Sequence, residues 1–290
     1  MPGKFLNHAR WTAGTTVLVV LHSVLPVHAQ DIPWDRIQDT QGISAAQRKV
    51  AEEVLRTARC YGECKGTVLG CLLAGDPIGT RLANFIARRA AADRTVENVL
   101  SSVTNRRNSA FPSETFDPDL DALVPLGSPD APVRVVVFAD FECSYCSVAL
   151  RGLREIGLEM PEQVSLWFKN FPLTQDARAI PSALAYLAAE RQGLGWEMNE
   201  ALFRHEGTLS DEALEACAAA AGLDLEQYRA DLQSGESMER IRAEKAEGVS
   251  FGIRSAPGIL VNGKPYSGIK TKVELLDRIE EEFYILTEME

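Results

Sequence analysis

The chain has 290 residues, 46% of them hydrophobic, which is enough to bury the core of two modest domains or one large one. Its formal net charge of −11 at pH 7 argues against a nucleic-acid-binding protein. Such proteins need clustered basic residues to neutralise phosphates, so no nucleic-acid partner is expected.

The first 29 residues have the pattern of a cleaved signal peptide. Lys4 and Arg10 precede an apolar stretch over residues 11–27, which ends at the small-residue pattern Val27-His28-Ala29. The alternative is an uncleaved membrane anchor, but the stretch is short for a membrane span and polar residues interrupt it. We therefore expect a periplasmic or otherwise exported protein without a membrane span after cleavage.

Export would place the cysteines in a compartment where disulfides can form and persist. Three of the four histidines lie in the first 29 residues, so the mature chain keeps only His205. One histidine cannot build a multi-histidine metal site, and its isolation argues against a Ser-His or Cys-His hydrolase. We expect no metal and no cofactor. The six cysteines stand at positions 60, 64, 71, 143, 146 and 217.

Residues 30–110 are predicted to form a small helical module. Ser44 and Gln47 have the spacing of a capping box, and Asp76-Pro77 is a typical helix start. Apolar residues between Val96 and Val103 recur with helical spacing and indicate a third helix.

Residues 111–119 are polar and contain two prolines, which predicts a linker rather than a packed element. The pattern then changes to that of a mixed α/β domain over residues 120–290. Short strands are predicted at Leu123–Leu126 and Val164–Phe171. Between them, Val133–Phe138 is a β-branched apolar run, typical of a central strand buried on both faces.

A helical insertion, over about residues 177–248, is predicted to separate two halves of the sheet. The dipeptide Asn262-Gly263 then predicts a tight hairpin turn, because both residues tolerate positive φ. Thr271 and Glu274 have the spacing of a capping box for a last helix.

Cys143 and Cys146 form a CxxC motif between the central strand and a predicted helix. A sulfur at a helix N-terminus faces unpaired N–H groups and the positive end of the helix dipole, and both favour the thiolate. This predicts Cys143 as a nucleophile with a lowered pKa and Cys146, one turn further on, as the resolving thiol. The alternatives are half of a zinc site and a structural disulfide.

Three cysteines lie in the helical module, at Cys60, Cys64 and Cys71. Two of them are predicted to form a disulfide that stabilises a module with a small core, and a second redox site is the alternative. Cys217 shares a helical stripe with Leu214 and is predicted to be buried in the core.

Four motifs in order resemble the DsbA-like branch of the thioredoxin superfamily, and the resemblance covers about residues 120–290. It implies a thioredoxin-like fold with a helical insertion and a redox-active Cys143–Cys146 disulfide. It also implies a cis peptide bond before Pro257, facing the sulfurs, and an Ala256 backbone that pairs with an extended substrate peptide. The motifs are Phe138-Ala-Asp-Phe-Glu-Cys-Ser-Tyr-Cys146, Phe168-Lys-Asn-Phe-Pro-Leu173, Ala221-Gly-Leu-Asp224 and Ala256-Pro-Gly-Ile-Leu-Val-Asn-Gly263.

The motif departs from the family pattern at two places. Relatives commonly have proline at the position of Ser144, and the strongest oxidants have histidine at that of Tyr145, so a milder oxidant is expected. Where relatives often carry a buried carboxylate that handles the resolving cysteine's proton, this chain has Val137. Asp140 and Lys169 are the nearby candidates for that role, and the alternative is that both are structural charges.

The sequence thus predicts an exported thiol-disulfide oxidoreductase acting through Cys143 and Cys146. Its partners would be protein thiols, bound as extended peptides, and a redox protein that resets the pair. One alternative is a thiol reductase of c-type cytochrome maturation, suggested by a weak resemblance of the cysteine-bearing module to proteins of that pathway. The other is a non-enzymatic thioredoxin-fold binding module.

Overall fold

The computed structural model describes residues 31–38, 40, 42–92, 95–173 and 175–289. The predicted signal peptide, residues 1–29, lies outside the described residues. Among the helices that are described, none is both long enough and apolar enough to cross a membrane.

The N-terminal module is helical, with its own apolar core. The capping box at Ser44 is present: Ser44 Oγ accepts a hydrogen bond from Gln47 N, and Gln47 Oε1 accepts one from Ser44 N. Asp76 caps the helix that starts at Pro77. The elements are a 3₁₀-helix at Trp34–Arg36 and the helices α1 (Ala45–Thr57), α2 (Val68–Leu73), α3 (Pro77–Ala91) and α4 (Val96–Ala110).

The second part of the chain is built on a four-stranded sheet with the strand order β2-β1-β3-β4. The central strand β1 is parallel to β2 and antiparallel to β3, and β3 and β4 form the predicted hairpin around Asn262 and Gly263. Both turn residues have positive φ, 49° and 75°. The strands are β1 (Val133–Ala139), β2 (Val164–Asn170), β3 (Gly258–Val261) and β4 (Lys264–Pro265).

Helices cover both faces of this sheet, so the predicted thioredoxin-like α/β fold with a helical insertion is confirmed. Helix α5 follows β1 and carries the CxxC motif, and a long helix, α11, packs against it. The helices are α5 (Ser144–Glu159), α11 (Lys272–Glu288) and, in the insertion between β2 and β3, α6 (Ala179–Arg191), α7 (Gly195–Arg204), α8 (Asp211–Ala220), α9 (Leu225–Asp231) and α10 (Gly235–Ser250).

Two local expectations are wrong. Residues 123–126 form no strand, and only Leu126 makes an isolated bridge, to Leu166. Thr271 is the N-cap of α11 but its side chain accepts no capping hydrogen bond. Glu274, the expected partner in that capping box, instead accepts two hydrogen bonds from Arg88, because α3 lies beside the start of α11.

The segment 111–119 has no helix or strand, as expected of a linker, but part of it is packed, contrary to expectation. Phe116 N donates to Gly263 O at 2.8 Å, and the Phe116 ring stacks on Phe251 with centroids 4.8 Å apart. Phe116 N thus satisfies a carbonyl of the hairpin turn, and the Phe116 ring covers Phe251 at the end of α10.

The helical module contacts the second part of the chain through ion pairs with α11. Arg106 is paired with Asp277 and Glu281, at 2.5 and 3.0 Å, and Arg88 with Asp277 at 2.6 Å. Tyr61 adds a hydrogen bond to Glu281. Because Arg106 and Glu281 are almost completely buried, loss of Arg106 would leave Glu281 with only the longer ion pair to Arg278, at 3.8 Å.

Candidate active site

The sheet places the CxxC motif at the end of its central strand. β1 ends at Ala139, and Cys143 N donates to Asp140 O at 3.2 Å in the turn that follows. Cys143 is the N-cap residue of α5, with extended backbone angles. The sulfur therefore stands beside the first N–H groups of the helix, which have no partner within it.

The sulfur of Cys143 is half-buried, and the structure holds it as a free thiol. A hydrogen bond from the Cys146 thiol lowers the pKa of Cys143 to about 6, helped by the N–H groups of Cys146 and Tyr145 and opposed by partial burial and the charge of Asp140. The thiolate is thus the main form at neutral pH, as predicted for a nucleophile.

Cys146 is completely buried, in the core between α5 and the sheet. Its hydrogen bond to Cys143 and its burial raise the pKa of Cys146, so it stays protonated beside the Cys143 thiolate. One thiol is therefore accessible and ionised, and the other is buried and neutral. This asymmetry is what exchange through a resolving thiol requires.

The loop before β3 lies against the nucleophile. Cys143 Sγ is 3.6 Å from Ala256 O, and the Ala256–Pro257 peptide bond is cis. Ala256 lies outside the register of β3, which pairs with β1 from Gly258 onward. Among the described residues, no strand pairs with the Ala256 backbone, which lies at the sulfur.

Asp140 is also at this site. It is buried, and its carboxylate accepts hydrogen bonds from Leu173 N at 2.6 Å and Glu142 N at 2.9 Å. Burial raises the pKa of Asp140, and the two N–H donors oppose that rise. Its charge in turn raises the pKa of both Cys143 and Cys146, so the three groups are electrostatically coupled.

Lys169 is not brought to the sulfurs. In the sheet it is the register partner of Phe138. Its side chain lies on the same sheet face as the Phe138 ring, and α10 packs on that face. There it forms a buried ion pair with Glu247 at 2.5 Å. Val137 lies on the other face, in the core that contains Cys146, so no carboxylate occupies that position.

Ser144 and Tyr145 begin α5 and are exposed, Tyr145 to 77%. Val148, one turn further on, is 53% exposed. Tyr145 and Val148 are thus two exposed apolar side chains at the start of α5, the helix whose N-cap is Cys143.

The groups that position the CxxC motif were not predicted from the sequence. Phe141 packs against Phe203 and Phe168, with centroids 4.8 and 5.1 Å away, and Ser147 Oγ donates to Phe203 O at 3.1 Å. Leu173 N holds the Asp140 carboxylate. Phe141, Phe168 and Leu173 lie within the quoted motifs, which was the available signal, but their contacts depend on tertiary packing.

The remaining cysteines have separate places. Cys64 and Cys71 form a disulfide, so the prediction that two of the three module cysteines pair is confirmed. Cys60 is a buried free thiol near them. Cys217 is buried in the core of the α/β domain, as predicted.

Comparison with known proteins gives a family match. The family model described as Thioredoxin matches residues 121–281. Among solved structures, a thioredoxin-like oxidoreductase from Silicibacter pomeroyi DSS-3 is 26% identical with a TM-score of 0.51, over 60% of this chain and 96% of that one. Oxidised BdbD from Bacillus subtilis shares the fold, at 21% identity and a TM-score of 0.51, over 58% of this chain and 97% of that one.

The curated relatives are longer proteins. The chain is 31% identical over 168 residues to Na(+)/H(+) antiporter NhaA 1 of Mycolicibacterium gilvum, which is 57% of this chain and 27% of that protein. It is 31% identical over 203 residues to Na(+)/H(+) antiporter NhaA 3 of Salinispora tropica, 69% of this chain and 30% of that one. The match thus spans less than a third of the length of these relatives.

Proposed function

The chain belongs to the thioredoxin family, with a DsbA-like thiol-disulfide oxidoreductase domain that carries the CxxC pair Cys143 and Cys146, and we propose that the whole protein exchanges disulfides with the thiols of exported proteins. One observation carries the proposal. A half-buried Cys143 with a pKa of about 6 stands over a completely buried, protonated Cys146.

The reaction starts from the oxidised pair. A substrate thiolate attacks Cys143 Sγ, the Cys143–Cys146 bond breaks, and Cys146 leaves as a thiolate that takes up a proton. A second substrate thiolate then attacks the substrate sulfur of the mixed disulfide, which oxidises the substrate and releases Cys143 as a thiolate. A low pKa makes Cys143 a good leaving group and stabilises the reduced pair, so it favours oxidation of the substrate.

Substrate would bind as an extended segment along the loop at Ala256 and Pro257. The Ala256 backbone lies at the sulfur and outside the strand register, so a peptide can add there by backbone hydrogen bonds. Tyr145 and Val148 offer apolar contacts to the residues beside the substrate cysteine. Recognition of this kind depends on backbone more than on sequence, which suits a catalyst with many substrates.

We assign to Asp140 the role of accepting and returning the proton of Cys146. Its carboxylate is buried, its pKa is raised by that burial, and it is coupled to both sulfurs. A raised pKa brings a carboxyl closer to neutral pH, where it can accept and return a proton. Lys169 is assigned to structure, since it lies on the other face of the sheet in an ion pair with Glu247.

Export is supported by the signal-peptide pattern of residues 1–29 and by the Cys64–Cys71 disulfide, which would persist in an oxidising compartment. A second protein would then be needed to reoxidise the Cys143–Cys146 pair after each turnover. We place the protein in the periplasm or an equivalent exported location.

The test is a trap in cells. In the reverse direction the Cys143 thiolate attacks a protein disulfide and Cys146 then displaces the bound partner. Cys146→Ala lacks the displacing thiol, so we expect covalent adducts on Cys143 that are released by reductant, whereas Cys146→Ala with Cys143→Ser forms none. Cys217→Ala serves as a control for loss of a buried thiol. Absence of adducts, or a Cys143–Cys146 pair that does not equilibrate with glutathione buffers, would contradict exchange. A pair found reduced in the exporting compartment would indicate the reductive direction.

A further inference from the structure

The helical module holds a free thiol next to a disulfide. The disulfide joins Cys64 and Cys71, with the Cα atoms 5.7 Å apart. Cys60 N donates to Gly66 O at 3.1 Å. A Cβ built on Gly66 would stand 3.5 Å from Cys71 Sγ and 3.7 Å from Cys64 Sγ. The residue that pairs with the Cys60 backbone therefore lies against both sulfurs of the disulfide.

Asp76 joins the same group. The Cys60 thiol donates to Asp76 Oδ1 at 3.7 Å, and Asp76 N donates to Cys71 O at 3.0 Å. One residue thus contacts both the free thiol and the buried half of the disulfide. Cys60 and Cys71 lie in the core of the module, and Cys64 packs against it.

The three sulfurs differ in exposure. Cys71 is completely buried and Cys60 is 7% exposed, whereas Cys64 is half-buried between the exposed residues Glu63 and Lys65. If Cys64 were displaced from Cys71, its sulfur would be released where solvent and partners can reach it. A purely structural disulfide needs no third thiol beside it.

We infer that Cys60, Cys64 and Cys71 form a second thiol-disulfide exchange centre, in which Cys60 displaces Cys64 from Cys71. The Cys60 thiol loses its proton, its sulfur bonds to Cys71 Sγ, the Cys64–Cys71 bond breaks, and Cys64 leaves as a thiolate that can be protonated. One thiol and one disulfide are present before and after, so no oxidant is needed. The released Cys64 can then attack a disulfide of a small thiol or of a protein, giving a mixed disulfide on Cys64 and one free thiolate.

Asp76 controls this step as a positioning residue. Burial is the main cause of the raised pKa of Cys60, and the charge of Asp76 and its hydrogen bond add to it. Three other charged groups lie nearby. Arg59 donates to Lys65 O at 3.4 Å, and Lys65 Nζ donates to Gly62 O at 3.0 Å. The charge of Glu63, like that of Asp76, adds to the rise in pKa that burial causes in Tyr284 of α11. The Cys60 thiol is thus mostly protonated at neutral pH. The exchange centre becomes active as the thiolate fraction of Cys60 rises with pH.

The first experiment follows release of Cys64 without reductant. The full chain is prepared with Cys143→Ser and Cys146→Ser, which removes exchange at the CxxC motif, so the result does not depend on the proposed function. N-Ethylmaleimide is added, and the protein is cleaved after Lys65 and Glu63 to separate Cys60 from Cys64. We expect maleimide on Cys64 together with a Cys60–Cys71 disulfide. Maleimide on Cys60 with Cys64–Cys71 intact would overturn the inference.

Variants of the same background keep the result interpretable. Cys60→Ala should lower the rate of Cys64 labelling at least tenfold, whereas Cys217→Ala, which removes another buried thiol, should leave it unchanged. Cys64→Ser gives a positive signal that does not depend on a variant failing: after incubation with oxidised glutathione, which supplies the disulfide and leaves as two reduced glutathione molecules, the protein should contain a Cys60–Cys71 disulfide. A free Cys71 thiol in that variant would contradict the inference.

The second experiment tests Asp76. Below the pKa of Cys60 the labelling rate should rise about tenfold per pH unit, because the thiolate is the attacking form. Asp76→Asn keeps a side chain that can cap α3 but removes the charge. We expect its rate profile to move to lower pH, and an unchanged profile would exclude control by Asp76.

Discussion

The sulfur of Cys143 lies 3.6 Å from the carbonyl oxygen of Ala256, although 113 residues separate them in the chain. The register of the sheet causes this contact, since Phe138 near the end of β1 pairs with Gly258 at the start of antiparallel β3. The segments that leave β1 and enter β3 therefore meet at the same edge. The nucleophile and its substrate loop are positioned by one pair of neighbouring strands.

The hydrogen bond from Cys146 is the largest cause of the lowered pKa of Cys143. We expect Cys146→Ala to raise that pKa from about 6 towards the ordinary cysteine value of about 8.5. The measurement is the pH dependence of thiolate absorbance, or of the iodoacetamide rate, in the reduced protein.

Cys146→Ser is the matched control, because its hydroxyl can still donate to the Cys143 sulfur. The pKa of Cys143 should be lower in Cys146→Ser than in Cys146→Ala. Equal midpoints in the two variants would show that helix N–H groups alone hold the thiolate.

Asp140 raises the pKa of Cys143, whereas the hydrogen bond from Cys146 lowers it. Its negative charge raises the pKa of Cys143 and Cys146, so Asp140→Asn should lower the Cys143 midpoint, by about one pH unit or less. The variant should also slow resolution of a mixed disulfide, because Cys146 loses its proton acceptor. Stopped-flow reduction of a model mixed disulfide on Cys143 measures that step.

Lys169→Met is the control for a buried charge of this sheet. It breaks the ion pair with Glu247 and should lower the free energy of unfolding, but on the far face of the sheet it should not move the Cys143 midpoint. A shift equal to that of Asp140→Asn would place Lys169 in the site after all.

Tyr145 stands where strongly oxidising relatives are expected to have histidine. It is 77% exposed and its N–H stabilises the Cys143 thiolate. In Tyr145→His a cationic imidazole would add to this stabilisation, so we expect the pKa of Cys143 to fall below 6 and the pair to become more oxidising. Equilibration with glutathione buffers measures the change, with Tyr145→Phe as the control.

Local sequence was sufficient for the reactive pair. The β-branched run before Cys143 and the helix-forming residues after Cys146 predicted a sulfur at a helix N-terminus, and the structure has it there. The same reasoning predicted the hairpin at Asn262, because a two-residue turn imposes its own backbone angles.

Partners that are distant in sequence could not be predicted in this way. Asp140 is held by Leu173 because β1 and β2 are parallel neighbours, which no spacing within either strand encodes. Glu274 had the spacing of a capping residue, but its carboxylate accepts a hydrogen bond from Arg88 of another helix. A local rule fails wherever a stronger tertiary partner is available.

Arg106 joins the helical module to α11. Arg106→Met would leave the buried Glu281 with only the longer ion pair to Arg278, at 3.8 Å, and we expect the free energy of unfolding to fall by about 3 kcal/mol. Arg204→Met breaks an exposed ion pair with Glu200 and should change the free energy of unfolding by less than about 1 kcal/mol. Urea denaturation measures both, and similar losses would contradict the importance of burial.

The effect of Arg106→Met should depend on pH. Burial opposes ionisation of Asp277, but Arg106 and Arg88 outweigh it, so the pKa of Asp277 lies below its ordinary value. A depressed pKa stabilises the fold above the unfolded-state value of about 3.9 and loses that contribution as pH falls through the folded-state value. The difference between wild type and Arg106→Met should therefore shrink in acid.

Packing of the segment at Phe116 requires a glycine at position 263. Gly263 has φ of 75°, and a Cβ there would overlap Phe116 O, the carbonyl of the residue whose N–H bonds to Gly263 O. Gly263→Ala should therefore cost both backbone strain, about 1–3 kcal/mol, and the docking of this segment. Gly207 has φ of 100° with nothing within 4 Å of its Cβ position, so Gly207→Ala carries the strain alone. If the two variants lose equal free energy of unfolding, the segment behaves as the free linker that its composition predicted. A larger loss in Gly263→Ala, with faster proteolysis between residues 111 and 119, would indicate that its contact with the hairpin contributes to stability.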